Sequence, residues 1–89
     1  MVERLWSVEV FNIDITTGKL IVRRKKREAD KITDVLTTFY VMKGTQIKDR
    51  AGKIIQLSEL KAGDRITVDY IKENDGTLVA PMISLFRRS

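Results

Sequence analysis

Hydrophobic and polar residues alternate along this chain in short runs, and the runs are broken by Gly, Asn, Asp and Lys. A period of two in segments rich in Val, Ile, Thr, Phe and Tyr predicts β-strands rather than helices. The first run, Leu5 to Ile15, changes phase in its middle. Trp6, Val8 and Val10 share one face, and Phe11, Ile13 and Ile15 take the other. A parity switch inside one strand predicts a β-bulge or a sharp coil, the device by which small barrels bend their walls. Thr16-Thr17-Gly18-Lys19 reads as a turn into a second strand, Leu20 to Arg24. The polar stretch KKREADKITD at 25–34 predicts a flexible basic loop over about 24–34, with a helical turn at Ala29 to Asp34 as the one alternative.

A third strand is predicted from Val35 to Met42, ended by Gly44, and a short fourth one from Thr45 to Lys48. In Leu57-Ser58-Glu59-Leu60-Lys61-Ala62-Gly63-Asp64, Ser58 is placed to cap one helical turn over 58–61 whose leucines plug a core. Gly63 is placed to close it in the left-handed conformation. Arg65 to Ile71 alternates cleanly, Asn74-Asp75-Gly76 is a hairpin signal, and Pro81 marks the last strand as an edge or a bulge. About six short strands with turns every 8–12 residues or so predict an all-β fold. The expected architecture is a single domain over 1–89, a small, partly open barrel of the OB or SH3-like kind.

Composition changes this picture mainly by exclusion. The 89 residues include no Cys and no His. Thiol nucleophiles, disulfides and thiolate zinc sites go with the first, and the usual general base and commonest transition-metal ligand with the second. No phosphate-cradling glycine motif is present, so no cofactor is expected. Glu73 and Asp75 lack the further ligands of a calcium loop and read as part of a hairpin turn. Asp64 and Asp69 have opposite strand parity and do not predict an acid–base pair, Asp64 reading instead as a turn residue. The chain is expected not to be an enzyme. No apolar run approaches the roughly 20 residues of a membrane-spanning helix. Met1-Val2 runs into Glu3 and Arg4 with no leader pattern, which leaves a cytoplasmic location, or export after removal of a leader, as the expectations.

Phe39-x-Val41, Thr45-x-Ile47, Gly52-Lys53, Leu57-Ser58-x-Leu60-Lys61-x-Gly63-Asp64-x-Ile66-x-Val68-x-Tyr70 and Asp75-Gly76-x-Leu78-Val79-Ala80 with Ile83 form a longer pattern. It resembles a group of small bacterial OB-like β-barrel domains of unknown function, over residues 5–86. The resemblance implies an OB-like barrel of a kind often found in exported or envelope-associated proteins. It implies no catalytic residues.

One charge feature remains. Arg23, Arg24, Lys25, Lys26 and Arg27 are adjacent in a chain of net charge +5, which points to an acidic partner. Glu28, Asp30 and Asp34 follow closely enough to neutralise much of the run. Of the six aromatics, Trp6, Phe39 and Tyr70 share faces with aliphatic residues and are expected in the core, and Tyr40, on the opposite face from Phe39, is the best exposed candidate to accompany the cations. The function expected is therefore a non-enzymatic binding or accessory barrel whose partner is another protein. Its alternative is a single-strand nucleic-acid-binding domain using Arg23 to Arg27 and Tyr40.

Overall fold

A computed structural model describes residues 1–89. Six strands are present: β1 (Glu3–Asp14), β2 (Lys19–Glu28), β3 (Lys31–Lys48), β4 (Ile54–Ile55), β5 (Arg65–Lys72) and β6 (Leu78–Arg87). A single 3-10 turn covers Leu57–Glu59. The strands lie in the order β2-β1-β5-β6-β3-β4, and a further β2–β3 pairing closes β1, β2, β3, β6 and β5 into a ring, with the short β4 paired to β3 alone. β3 and β6 are parallel and every other neighbour is antiparallel. This is the OB-like barrel, all-β as the alternation predicts.

The barrel is filled from every wall. Val8, Val10, Leu20, Val22, Phe39, Ile47, Ile66, Val68, Ala80, Ile83 and Leu85 are buried, and Phe39 packs on Tyr70 with ring centroids 5.1 Å apart. Leu60 enters the core from the 3-10 turn. Ser58 lies inside that turn rather than capping it; the N-cap position is Gln56, whose N–H donates to the Glu59 carboxylate at 2.7 Å. Gly63 does take the left-handed conformation, at φ +95°, and a Cβ there would come within 2.8 Å of Ser89 Cβ.

β1 is bent twice. Its register shifts between Val10 and Asn12 against β2, as the parity switch predicts, and again between Leu5 and Val8 against β5, where Ser7 has φ 49°. The second shift turns Leu5 and Val8 inward together and Trp6 outward, so Trp6 is not a core residue: it is 70% exposed. β3 runs through Gly44 as one strand, with a register shift between Val41 and Gln46 where a separate fourth strand was expected. Pro81 lies in β6, between β5 and β3 in the ring, at positions where both registers shift. It marks a bulge, not an edge.

The predicted loop over 24–34 is instead regular β-ribbon. Arg24 pairs with Val35, Lys25 with Asp34, Lys26 with Thr33, Arg27 with Ile32 and Glu28 with Lys31. Ala29 and Asp30 make the turn, Ala29 at φ 52° in place of the expected helical turn. Like charges adjacent in sequence alternate between the two faces of a strand, and Lys25 faces Asp34 across the ribbon at 3.2 Å. The run is thereby accommodated without a loop. β1 pairs with β2 only as far as Glu9 and Arg23, and β6 pairs with β3 only from Tyr40 onward. Residues 24–35 therefore extend beyond the ring as an arm, and the wall is open where β1 leaves β2.

Three hairpin turns are held by carboxylates, the one between β3 and β4 by Asp49, which accepts the N–H groups of Ala51 and Lys53. Asp14 accepts the N–H groups of Thr16 and Thr17, and Asp75 accepts that of Thr77. The Thr17 side chain foremost, and then its N–H, hold the Asp14 carboxyl below its ordinary value; the Thr77 N–H foremost does the same for Asp75. A carboxyl whose folded pKa is lowered adds stability above its unfolded pKa and loses it as pH falls through the folded one. Urea midpoints are accordingly expected to be flat near neutrality and to fall below about pH 4. Asp14→Asn and Asp75→Asn together should flatten that fall; an unchanged acid limb would show that other groups cause it.

Candidate nucleic-acid interface

The opening between β1 and β2 is a cleft of about 420 Å³. Its floor is Leu5, Trp6, Ser7 and Val8 from β1, and its rim is Glu9, Arg23, Arg24, Lys25 and Arg65. The bulge at Ser7 creates it, because the same backbone turn that carries β1 over to β5 pushes the indole of Trp6 into solvent. The Arg4 guanidinium lies 4.9 Å from the Trp6 ring and is itself held by both oxygens of Asp69. That hydrogen-bonded pairing, and then the Asp69 charge, raise the Arg4 pKa above its ordinary value.

The other exposed aromatics have the same company. Arg23 lies 5.5 Å from the Phe11 ring, Lys19 lies 5.8 Å from Tyr40 and Arg50 lies 5.9 Å from Phe86. The remaining two aromatics, Phe39 and Tyr70, pack on each other. Every outward ring thus carries a cation, the combination that stacks bases and attracts phosphate.

The six residues singled out from sequence do not form one site. Arg23, Arg24 and Lys25 reach the cleft. Lys26 pairs with Glu28 at 3.1 Å on the arm, and Arg27 lies near the arm's tip beside Ala29, Asp30 and Ile32. Tyr40 is 38% exposed, less than Trp6, and pairs with Lys19 at the other end of the ribbon. Trp6 and Arg65 complete the cleft and were not assigned to it from sequence. Only the bulge at Ser7, which has no strong residue signal, brings them there.

Ion pairs sharpen the picture. Arg23 is held by Glu9 at 3.0 Å and Lys25 by Asp34, whereas Arg24 and Arg65 have no carboxylate within 4.0 Å. Asp64 and Asp69 stand apart: Asp64 is buried and bonded to backbone, and Asp69 holds Arg4. The cleft presents cations and an aromatic surface, with Glu9 the one carboxylate among its lining residues.

A small OB-like β-barrel with an open, basic, aromatic-lined cleft is the class of protein these features define. Two solved structures are similar to it. One is silver(I)-bound CusF, with TM-score 0.68 and 15% identity over 97% of this chain and 99% of that one. The other is a variant of CusF from Escherichia coli with copper(II), with TM-score 0.67 and 15% identity over 97% of this chain and 92% of that one. At this identity the likeness establishes the barrel. No family model and no curated protein matches the sequence.

Proposed function

We propose that this chain is a non-catalytic binding module that takes single-stranded nucleic acid in the Trp6 cleft. The observation that carries it is a 70% exposed indole set among Arg4, Arg23, Arg24, Lys25 and Arg65. A base stacks on an exposed aromatic face at about 1–3 kcal/mol, and neighbouring cations replace the counterions of its phosphates.

The CusF likeness raises metal carriage as another possibility, and the donor set does not fit it. Copper(II) favours imidazole and mixed nitrogen–oxygen sites, and the chain has no His. Softer silver(I) would be left with thioethers alone, from Met1, Met42 and Met82, of which Met1 and Met42 are exposed. No three acidic side chains converge. A protein partner keeps one observation in its favour: the arm's outer edges at 24–28 and 31–39 have no further strand beside them. No helix is long and apolar enough to cross a membrane.

Trp6 is the only tryptophan, so its emission reports on the cleft directly. Titration with single-stranded oligonucleotides at about 50 and 200 mM salt is expected to quench it, with affinity falling steeply at the higher salt. Trp6→Ala, followed by anisotropy of a labelled oligonucleotide, should weaken binding about 5- to 150-fold. Tight binding that leaves the emission and its salt dependence untouched would rule the cleft out. An acidic polypeptide that binds in the oligonucleotide's place would favour the protein partner.

A further inference from the structure

The chain has eight arginines, and Arg24, Arg27, Arg50, Arg65 and Arg87 are those without a carboxylate within 4.0 Å. Arg27 lies at the arm's tip, and the other four fall in two places. Arg24 and Arg65 line the Trp6 cleft, and Arg50 and Arg87 line a second cleft of about 380 Å³ with Phe86. Phe86 is 52% exposed and sits at the register shift of β6 against β5, where Arg65 faces Arg87 and Ile66 already faces Leu85. As the extra residue of a bulge, it is turned outward with Arg50 5.9 Å from its ring.

Arg65 of the Trp6 cleft neighbours Arg87 of the Phe86 cleft. It is opposite Glu9 of β1 on one side and opposite Arg87 of β6 on the other. Two arginines directly opposite each other across a strand pair repel, and here no acidic side chain bridges them. Arg65 donates only to the Ser7 carbonyl, at 3.2 Å. Glu9, opposite Arg65 on its other side, is engaged by Arg23, so neither arginine of the pair has a carboxylate bound to it, which points to a site that a ligand completes.

We infer that the Trp6 and Phe86 clefts are two halves of one track running across the strands, from β2 over β1 and β5 to β6. On the nucleic-acid reading, on which this inference rests, one base stacks on Trp6 and another on Phe86. The Arg65–Arg87 pair holds the phosphates between them. The lateral step from β1 to β6 is two strand spacings, about 10 Å, so a single nucleotide does not fill it. A site of about 4–6 nucleotides is expected, at the short end for a barrel of this kind.

The test uses labelled oligothymidylates of about 2, 4, 6 and 10 nucleotides with the unaltered chain, Arg87→Gln, Phe86→Ser and, as a control at the arm tip, Arg27→Gln. Affinity is expected to rise until the track is filled and then to level off. Phe86→Ser should lower affinity for the 6-mer about 5- to 150-fold while leaving the 2-mer's quenching of Trp6 intact. Arg87→Gln should reduce the salt slope by about 0.7. It should also raise the melting temperature by a few degrees at most, about 1–5 °C, because a repulsion is removed. A structural arginine would do the opposite. Binding by the unaltered chain that Phe86→Ser and Arg87→Gln leave at the level of Arg27→Gln overturns the track and spares the Trp6 cleft. No binding by the unaltered chain overturns both.

Discussion

Phe39→Ala is expected to cost about 3–5 kcal/mol, a large share of the stability of a domain of this size. Phe39 is fully buried, lies opposite Leu20 across the β2–β3 pair, and packs on Tyr70 with the rings 53° apart. It comes from the strand that pairs with both β2 and β6, so a void there touches two walls of the ring at once. Phe39→Leu, which keeps most of the volume, should cost less than about 1.5 kcal/mol or so. Urea unfolding of the pair separates the two effects. A Phe39→Ala midpoint close to that of Phe39→Leu would mean that the core collapses around the gap.

The second large effect concerns Asp64, the one charged residue in the interior, at 1% exposure. Its carboxylate accepts the Lys61 N–H at 2.8 Å and the Ser89 N–H at 2.9 Å, and Arg88 lies 3.9 Å away. The backbone here also holds β1: the Val10 N–H donates to the Asp64 carbonyl and the neighbouring Gly63 N–H to the Val10 carbonyl, both at 2.8 Å. The side chain therefore fastens the end of β6 to the turn that closes the barrel's floor. Hydrogen bonds to a charged group contribute about 1.5–3 kcal/mol each, so Asp64→Ala is expected to cost about 3 kcal/mol. For a chain this short that corresponds to a fall in melting temperature of roughly 12–24 °C. Asp64→Asn keeps one acceptor and turns a donor toward the other N–H, so its loss should be intermediate. Thermal melts followed by circular dichroism give both values, and a drop of only a degree or two for Asp64→Ala would show that the terminus is not held here.

The alternation of residues made the barrel legible before any coordinate. Val10, Val22, Phe39, Ile66 and Val68 fall on inward positions, and the phase change in β1 appears as the shift at Phe11. The misreadings share a cause. Trp6 looked inward because its parity matches Val8, and a bulge at Ser7 reverses that relation without a glycine to announce it. The 24–34 run looked like a loop because it is the most polar stretch of the chain and opens on adjacent cations. In a ribbon they face alternate sides and meet Asp34 across the pair, a relation that depends on register and cannot be read along the chain. The cleft was half visible for the same reason. Arg23, Arg24 and Lys25 stand out as a run, whereas Trp6 and Arg65 join them only through strand pairing.

The order of strands in the ring also bears on how the chain first acquires its shape. Closing it requires Leu5 to meet Val68 and Val41 to meet Ala80, pairings far apart in sequence, whereas the arm forms between β2 and β3 across a two-residue turn. Local hairpins form in about 1–10 μs, while barrels dominated by distant pairings take milliseconds to seconds. A newly made chain therefore displays the paired cations of the arm before Trp6 has a cleft to sit in. On the proposed reading, contacts with polyanions at that stage would be electrostatic and indiscriminate, and selectivity for stacked bases would arrive only with ring closure.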